Sequence, residues 1–523
     1  MSMRSSDLHI QLSKIVGADR VRTDKMERLL HNHDLAPLPP LMEMGFKMMP
    51  DAVVRPKTTE EVSRIVKLAV REQVPLVPRG GASWGYGGAM PCVGGIVMDM
   101  TSMDNIVRMD VDNLEVEVEA GATWQKVIDE TEKAGLFIGY YPSSKPAATL
   151  AGWIATGGIG VGTYKYGSVK NNLRNMEVVL PEGQIINTGF DYVSDHSAGY
   201  NLNDLFTGTE GTLGIVTKVT LKAVPAPEVV KPISVMFPTL QELYPMMHAI
   251  TRKRIQPLHI AFVDEHHSRY LKAMGRHTPG DGAILNVVLE GDKASVEYEE
   301  SVIAQLITEH RGTRLSDEDA QHEWEENPYE FRVREVGVSA ALAEVVVPMT
   351  EFQDTVQDIY NVIKKMKMEA SVIGMLGDRN TVLLMPYYLY VEKKLIKSMA
   401  SLSFGKKIGD LSMEHKGRPL GFGLFYAMNL KKIRGPGATL MYDIKTVIDP
   451  YDIVNPGKMF EGMTRYGMPM PGAMMGMGMN MMALGKKVMP KDKGFTKAVK
   501  DHDPERGHHV SGEETAPAPK EKA

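Results

Sequence analysis

The chain has 523 residues and a single cysteine, Cys92. One thiol cannot form an internal disulfide, ligate an iron–sulfur cluster or complete a CxxCH haem attachment, which excludes those centres from this chain. There is no excess of basic residues. The net charge of −5 gives no general affinity for nucleic acid. The amino-terminal stretch lacks the basic start and apolar core of a secretory signal, so the expectation is a cytoplasmic protein, peripheral at the inner membrane only through a partner. No G-x-G-x-x-G leads from a strand into a helix, and no Gly-Lys-Ser/Thr closes a phosphate loop.

What the chain does have is glycine in clusters and enough apolar residues, 43%, for two or three packed domains. The first cluster is Pro78 to Pro91, PRGGASWGYGGAMP. Glycine has no Cβ, so a ligand can approach such a backbone closely, and a concave run of N–H groups is an anion nest. A Gly-rich surface turn is the plainer alternative. The flanks favour the nest. Thr58 and Glu61 fit a capping box, and Val62, Ile65, Val66, Ala69 and Val70 then share one helical stripe. Val74 to Val77 and Ile96 to Met100 read as short buried strands on either side of the loop. Leu114 to Ala120, LEVEVEA, alternates, which predicts a half-exposed strand with valines inward and glutamates outward. Trp124, Val127, Ile128 and Thr131 mark a helix ending at Gly135.

Two further small-residue stretches follow, ATLAGWIATGGIGVGTYKYG within residues 140–167 and GYNLNDLFTGTEGTLGIVT over 199–217. The first is too short and too interrupted to span a bilayer. With Arg79 to Ala89, RGGASWGYGGA, these resemble, in the same order, the glycine motifs of FAD-linked oxidases related to the glycolate oxidase large subunit and D-lactate dehydrogenases. Trp84-Gly85-Tyr86-Gly87 also resembles the vanillyl-alcohol oxidase and p-cresol methylhydroxylase branch of that superfamily. The resemblance implies an α+β fold: a two-subdomain PCMH-type FAD-binding domain with an α+β cap of the FAD-linked oxidase C-terminal type. The implied organisation is a helical segment over 1–47, the FAD-binding domain over 48–227, the cap over 228–448, a return to the FAD domain over 449–462, and an extension over 463–523. The residues it assigns to FAD are Arg79, Gly80, Gly81, Ala82, Ser83, Trp84, Gly87, Gly88, Pro142, Ser143, Thr149, Gly152, Ala155, Thr156, Gly158, Tyr166, Gly167, Gly211, Gly214, Ile215 and Asn455. Lys458 is expected to border the cofactor with Asn455.

In the cap, Tyr329 to Glu335, YEFRVRE, resembles the segment whose arginine grips a substrate carboxylate, which implicates Arg334; an exposed ion pair is the alternative. Ala343 to Pro348, AEVVVP, resembles the strand that follows, with Glu344 for Asp. Met375 to Val382 aligns with H-x-GDGN-x-H, but both histidines are replaced, by Met375 and Val382. Neither side chain is a usable ligand for a divalent ion, so no metal is expected here. Arg379 within this stretch is a candidate positive charge near a substrate anion. Ser412 to Gly417, SMEHKG, resembles the motif whose histidine takes the hydroxyl proton, which implicates His415 as base and Glu414 beside it. His31, His33, His266 and His267 read as surface residues, and Cys92 as a small buried one.

The implied reaction is FAD-dependent oxidation of a small 2-hydroxy acid to the keto acid. Electrons would pass to a separate acceptor such as an iron–sulfur subunit, an electron-transfer flavoprotein or a quinone. Oxidation of a 4-hydroxybenzylic alcohol or alkylphenol is the alternative reaction, and a non-catalytic FAD-binding subunit of a redox complex the alternative class. Residues 467–485 are uncharged and dense in Met, Gly and Pro, which reads either as a docking surface for a partner or as a disordered tail. A homodimer stays open.

Overall fold

The computed structural model describes residues 5–36, 46–193, 197–327, 339–390, 395–424 and 426–460. Its first layer holds β1 (Val21–Arg22), β2 (Ala52–Val54), β3 (Leu76–Arg79) and β4 (Ile96–Asp99), in the order β1-β2-β4-β3. The last three run parallel. Parallel strands need a crossover, and the helix Thr59–Arg71 carries the chain from β2 to β3, which lie on either side of β4. Its cap is as read from the sequence: the Glu61 N–H donates to Thr58 Oγ1 at 3.2 Å, and Val62, Ile65, Val66 and Ala69 are buried. The first glycine loop leaves the end of β3, where parallel sheets present ligands.

The second layer is an antiparallel sheet in the order β5-β6-β10-β8-β9, made of β5 (Ile106–Asp110), β6 (Glu115–Glu119), β8 (Leu173–Val179), β9 (Ile185–Asn187) and β10 (Ile215–Lys222). A small pair, β7 (Leu136–Phe137) with β11 (Val224–Pro225), adjoins it. The half-exposed reading of β6 fails at Glu115 and Glu119, which are buried. Glu115 is enclosed by Arg108 Nη1 at 2.7 Å and Arg174 Nε at 3.3 Å, and Glu119 accepts the N–H of Asn105 at 2.9 Å. Paired charge lets this outer face be covered.

The cap is one nine-stranded sheet in the order β15-β12-β14-β13-β18-β19-β17-β20, with β16 also paired to β19. Its strands are β12 (Val229–Phe237), β13 (His259–Val263), β14 (Ala283–Gly291), β15 (Thr313–Arg314), β16 (Ser339–Leu342), β17 (Val345–Pro348), β18 (Ala370–Leu376), β19 (Thr381–Tyr390) and β20 (Arg418–Pro419). Side chains alternate between two faces. Ile260, Phe262, Val345, Val347, Val382 and Leu384 enter a core shared with Phe352, Val356 and Ile359 of the helix Phe352–Met366. Ala261, Met375, Leu383 and Val346 form a separate cluster on the opposite face. After the helix Gly437–Ile448 the chain rejoins the first layer, where the Leu76 N–H donates to Ile453 O at 2.8 Å. The buried Lys445 ammonium locks that return by donating to Thr212 O and Val454 O, both at 3.0 Å, and pairing with Asp449 at 2.6 Å.

Two histidines expected on the surface are inside. His31 Nε2 lies 3.3 Å from Asp99 Oδ2, and His267 Nδ1 lies 2.7 Å from the Tyr387 hydroxyl. His267 is placed by Asp264, a fully buried carboxylate at the end of β13. Asp264 accepts the N–H of His266 at 3.1 Å, of His267 at 3.0 Å and of Val372 at 2.8 Å, and the hydroxyls of Tyr360 at 3.0 Å and Ser371 at 2.6 Å. Asp264→Ala would leave these buried donors unmet. It is expected to lower unfolding stability by about 3 kcal/mol or more, measured by denaturant titration.

Candidate functional site

A cavity of about 620 Å³ runs from the three small-residue segments to the cap. The segments touch by backbone. A Cβ on Gly80 would stand 2.0 Å from Thr149 Oγ1, and one on Gly81 1.9 Å from Ala147 O, so only glycine allows the first loop to lie on the second segment. The Gly81 N–H donates to Thr149 Oγ1 at 3.3 Å. Asn455 Nδ2 donates to Gly88 O at 3.1 Å and Glu210 O at 2.7 Å, joining the first loop to the third segment. The Glu210 carboxylate accepts the N–H groups of Phe422 at 3.0 Å and Gly423 at 2.9 Å. Arg79 also lines the wall and donates to His33 O at 2.6 Å; burial pulls its guanidinium down from the usual arginine range. A small-residue cradle with one cation on its wall fits a dinucleotide held by its pyrophosphate.

The cap contributes the cluster face of its sheet. Ala261, Met375, Leu383, Met385 and Leu420 make an apolar wall, flanked by His259 and Glu344. Burial holds the His259 imidazole down to about 4, so it is neutral, and its Nδ1 has no partner among the described residues. Burial lifts the Glu344 carboxyl to about 7, against the pull of the Trp84 indole N–H, which donates to Oε2 at 2.9 Å.

Residues 50–189 match the family described as FAD binding domain, and residues 226–459 that described as FAD linked oxidases, C-terminal domain. The chain is 30% identical over 478 residues to glycolate oxidase subunit GlcD of Bacillus subtilis, covering 88% of this chain and 97% of that protein. It is 27% identical over 464 residues to a mitochondrial D-lactate dehydrogenase (cytochrome) of Arabidopsis thaliana, covering 85% of this chain and 79% of that protein. The chain belongs to the FAD-linked oxidase family. As a member it is a flavoprotein whose cofactor is FAD and an oxidoreductase acting on CH–OH groups. A solved structure of p-cresol methylhydroxylase shares the fold, with a TM-score of 0.75 at 18% identity, covering 88% of this chain and 96% of that one. Among the described residues no helix is long and apolar enough to cross a membrane.

Of the residues assigned to FAD from the sequence, Arg79, Gly80, Gly81, Ala82, Ser83, Trp84, Gly88, Pro142, Ser143, Thr149, Gly152, Ala155, Thr156, Gly158, Gly211, Gly214 and Ile215 line the cavity of this FAD-linked oxidase. Gly87, Tyr166, Gly167 and Asn455 do not. Gly87 faces Leu424 and Met90, and the Tyr166 hydroxyl donates to Glu290 Oε1 of β14 at 2.5 Å. Asn455 acts on the loops from behind. Lys458 is also behind them, fully buried, donating to Met90 O at 2.7 Å and Cys92 Sγ at 3.0 Å.

The expected catalytic residues fare differently. Arg334 lies outside the described residues. His415 and Glu414 do not line the cavity. His415 follows the helix Leu395–Glu414, with Nε2 3.1 Å from Asp358 Oδ2 and Nδ1 3.5 Å from Glu351 Oε2. Asp358 belongs to the helix packed on the other face of the cap sheet, so the sheet separates His415 from the cavity. Glu414 is exposed. Arg379 is also withdrawn. It donates to the carbonyls of Thr251 at 2.7 Å, Lys253 at 2.6 Å and Ile255 at 2.8 Å, capping the end of the helix Leu240–Thr251. In the hairpin aligned with the metal motif, Met375 faces Leu383, and Val382 points into the core. Among the described residues no three His, Cys, Asp or Glu side chains group as a metal site would need.

Sequence reasoning misses Glu210, Glu344 and His259. Glu210 and Glu344 stand inside quoted motifs, and their chemistry was legible there; nothing in the pattern of β13 marks His259. Gly81→Ala should weaken FAD binding roughly tenfold or more, because a methyl group forced into packed backbone costs about 1–3 kcal/mol; flavin absorbance of the purified variant measures it. Arg379→Ala should lower stability by about 2 kcal/mol while leaving substrate KM unchanged, as thermal melts and steady-state kinetics would show.

Proposed function

We propose that this FAD-linked oxidase dehydrogenates a small 2-hydroxy acid to the keto acid and passes the electrons to a separate acceptor. The observation that carries the reading is the single cavity that joins the glycine cradle to a cap wall bearing two ionisable groups. The names of the curated relatives, a glycolate oxidase subunit and D-lactate dehydrogenases, support the substrate class. Bound FAD supplies a two-electron acceptor. The chain's own residues would do the rest. The N–H groups and small side chains of Gly80 to Ser83, Thr149 to Gly158 and Gly211 to Ile215 would hold the nucleotide, with Arg79 against its phosphates. Leu383, Met385 and Leu420 would exclude water from the reacting carbon. Arg334 is the proposed partner of the substrate carboxylate, in a fork geometry that suits it; the described chain meets the cavity at Asn327, just before that segment. An iron–sulfur subunit, an electron-transfer flavoprotein or a quinone would each serve as acceptor.

The apolar wall favours a second reading, an alcohol carrying an aromatic ring. Anaerobic mixing of the yellow protein with D-lactate, glycolate or 4-hydroxybenzyl alcohol separates the two. The expected outcome is flavin bleaching by a hydroxy acid within seconds. Bleaching by the benzylic alcohol alone would replace the first reading with the second.

A further inference from the structure

Among the described residues three carboxylates line the cavity, and two are already engaged by backbone N–H groups. Both Asp34 oxygens accept backbone N–H groups, from Ala36 at 2.8 Å and Ala89 at 3.3 Å. Both Glu210 oxygens accept from the Phe422–Gly423 turn. Glu344 differs. Strand alternation sends Ala343 and Val345 into the helical core and turns Glu344 to the cavity. Trp84 of the first glycine loop donates to Oε2, and Oε1 has no partner among the described residues. The main chain at this position is also clamped by that loop. The Glu344 N–H donates to the Tyr86 hydroxyl at 2.5 Å, and that hydroxyl lies 3.3 Å from Glu344 O. The carboxylate is therefore held where cradle and cap meet, with one oxygen that meets neither a cation nor a backbone donor among the described residues.

We propose that Glu344 takes the hydroxyl proton of the substrate, the role the family resemblance would give to His415. The inference rests on the hydroxyl-oxidising reading above. The substrate O–H bond breaks and its proton joins a Glu344 oxygen. The carbinol C–H pair leaves as hydride for the flavin, and the carbon–oxygen double bond forms, so two electrons and one proton are accounted for. Among the described residues, the titratable groups facing Glu344 are the hydroxyls of Tyr86 and Tyr426, both raised above their ordinary range by burial and by the carboxylate. Neither changes charge near neutrality, so of these three groups only the Glu344 carboxyl titrates there. A carboxyl titrating near 7 is matched to base catalysis at neutral pH, whereas His259, down at about 4, is a weaker acceptor. Glu344 must be ionised to act, so activity is present above about 7 and falls tenfold per pH unit below it.

The test uses the full-length yellow protein and its Glu344→Gln, Glu344→Asp, Trp84→Phe and His259→Asn variants. Glu344→Gln should keep its FAD absorbance and slow anaerobic flavin reduction by at least about 100-fold. Glu344→Asp should recover part of the rate. Trp84→Phe, which removes a donor to the carboxylate, should move the pH midpoint upward. Infrared difference titration without substrate gives an independent readout: a protonated-carboxyl band should vanish as pH passes about 7 and be missing from Glu344→Gln. A Glu344→Gln enzyme with the wild-type rate and pH midpoint overturns the proposal, as does loss of the acid limb in His259→Asn alone. If Glu344→Gln does not retain FAD, Glu344→Asp decides, and an unchanged midpoint in it overturns the proposal. If no hydroxy acid reduces the wild-type flavin, the substrate reading fails by itself, and the infrared titration still decides whether Glu344 is a proton acceptor.

Discussion

The structure depends on backbone meeting backbone without side chains between. Gly80 and Gly81 lie against Ala147 and Thr149 at distances that no Cβ could occupy. This contact draws the end of the parallel layer onto the antiparallel one and leaves a groove lined by main chain. The groove is then braced from behind. Asn455 spans the first and third segments, and the buried Lys458 ammonium draws on the carboxylates of Asp34 and Glu210. A buried charge of this kind is tolerable because carbonyl, thiol and nearby acids compensate it. The cradle is preorganised by its own fold, so a nucleotide entering it need order little.

The cap adds a second constraint, the parity of its strands. A sheet offers each strand two faces, and moving by one residue exchanges them. One face packs helices and holds Val345, Val382 and Leu384; the other closes the cavity with Leu383, Met385 and Glu344. Everything the helical layer contributes is therefore shielded from the cofactor, His415 included. The same parity explains why the aligned hairpin offers Met375 and Leu383 to the cavity while Val382 turns away. The substrate chamber becomes apolar at its centre and ionisable at its edges.

Legibility followed the range of the interactions. The capped helix Thr59–Arg71, the helix ending near Gly135 and the three glycine segments are written in neighbouring residues, and most of the small residues assigned to FAD do line the cavity. Motifs say less where a side chain's surroundings depend on what stands across from it. Glu414 and His415 stand in a stretch that resembles the family's catalytic motif, yet Asp358 and Glu351 hold the histidine away from the cavity. Arg379 replaces a glycine at a plausible anion site, yet three carbonyls of a distant helix end claim its guanidinium. Glu115 looks solvated from its alternation, yet two arginines remote in sequence enclose it.

Residue order alone was enough for the family, the flavin cofactor and the α+β pairing of a cradle with a cap, because glycine spacing and hydrophobic period are local and survive in any alignment. Which ionisable groups share the cavity required the folded chain. Glu344 stands 260 positions after Trp84 and 258 after Tyr86, and they meet because a glycine loop and a cap strand close on the same cavity. Proximity of that kind is a property of packing between layers, which no single stretch of sequence encodes.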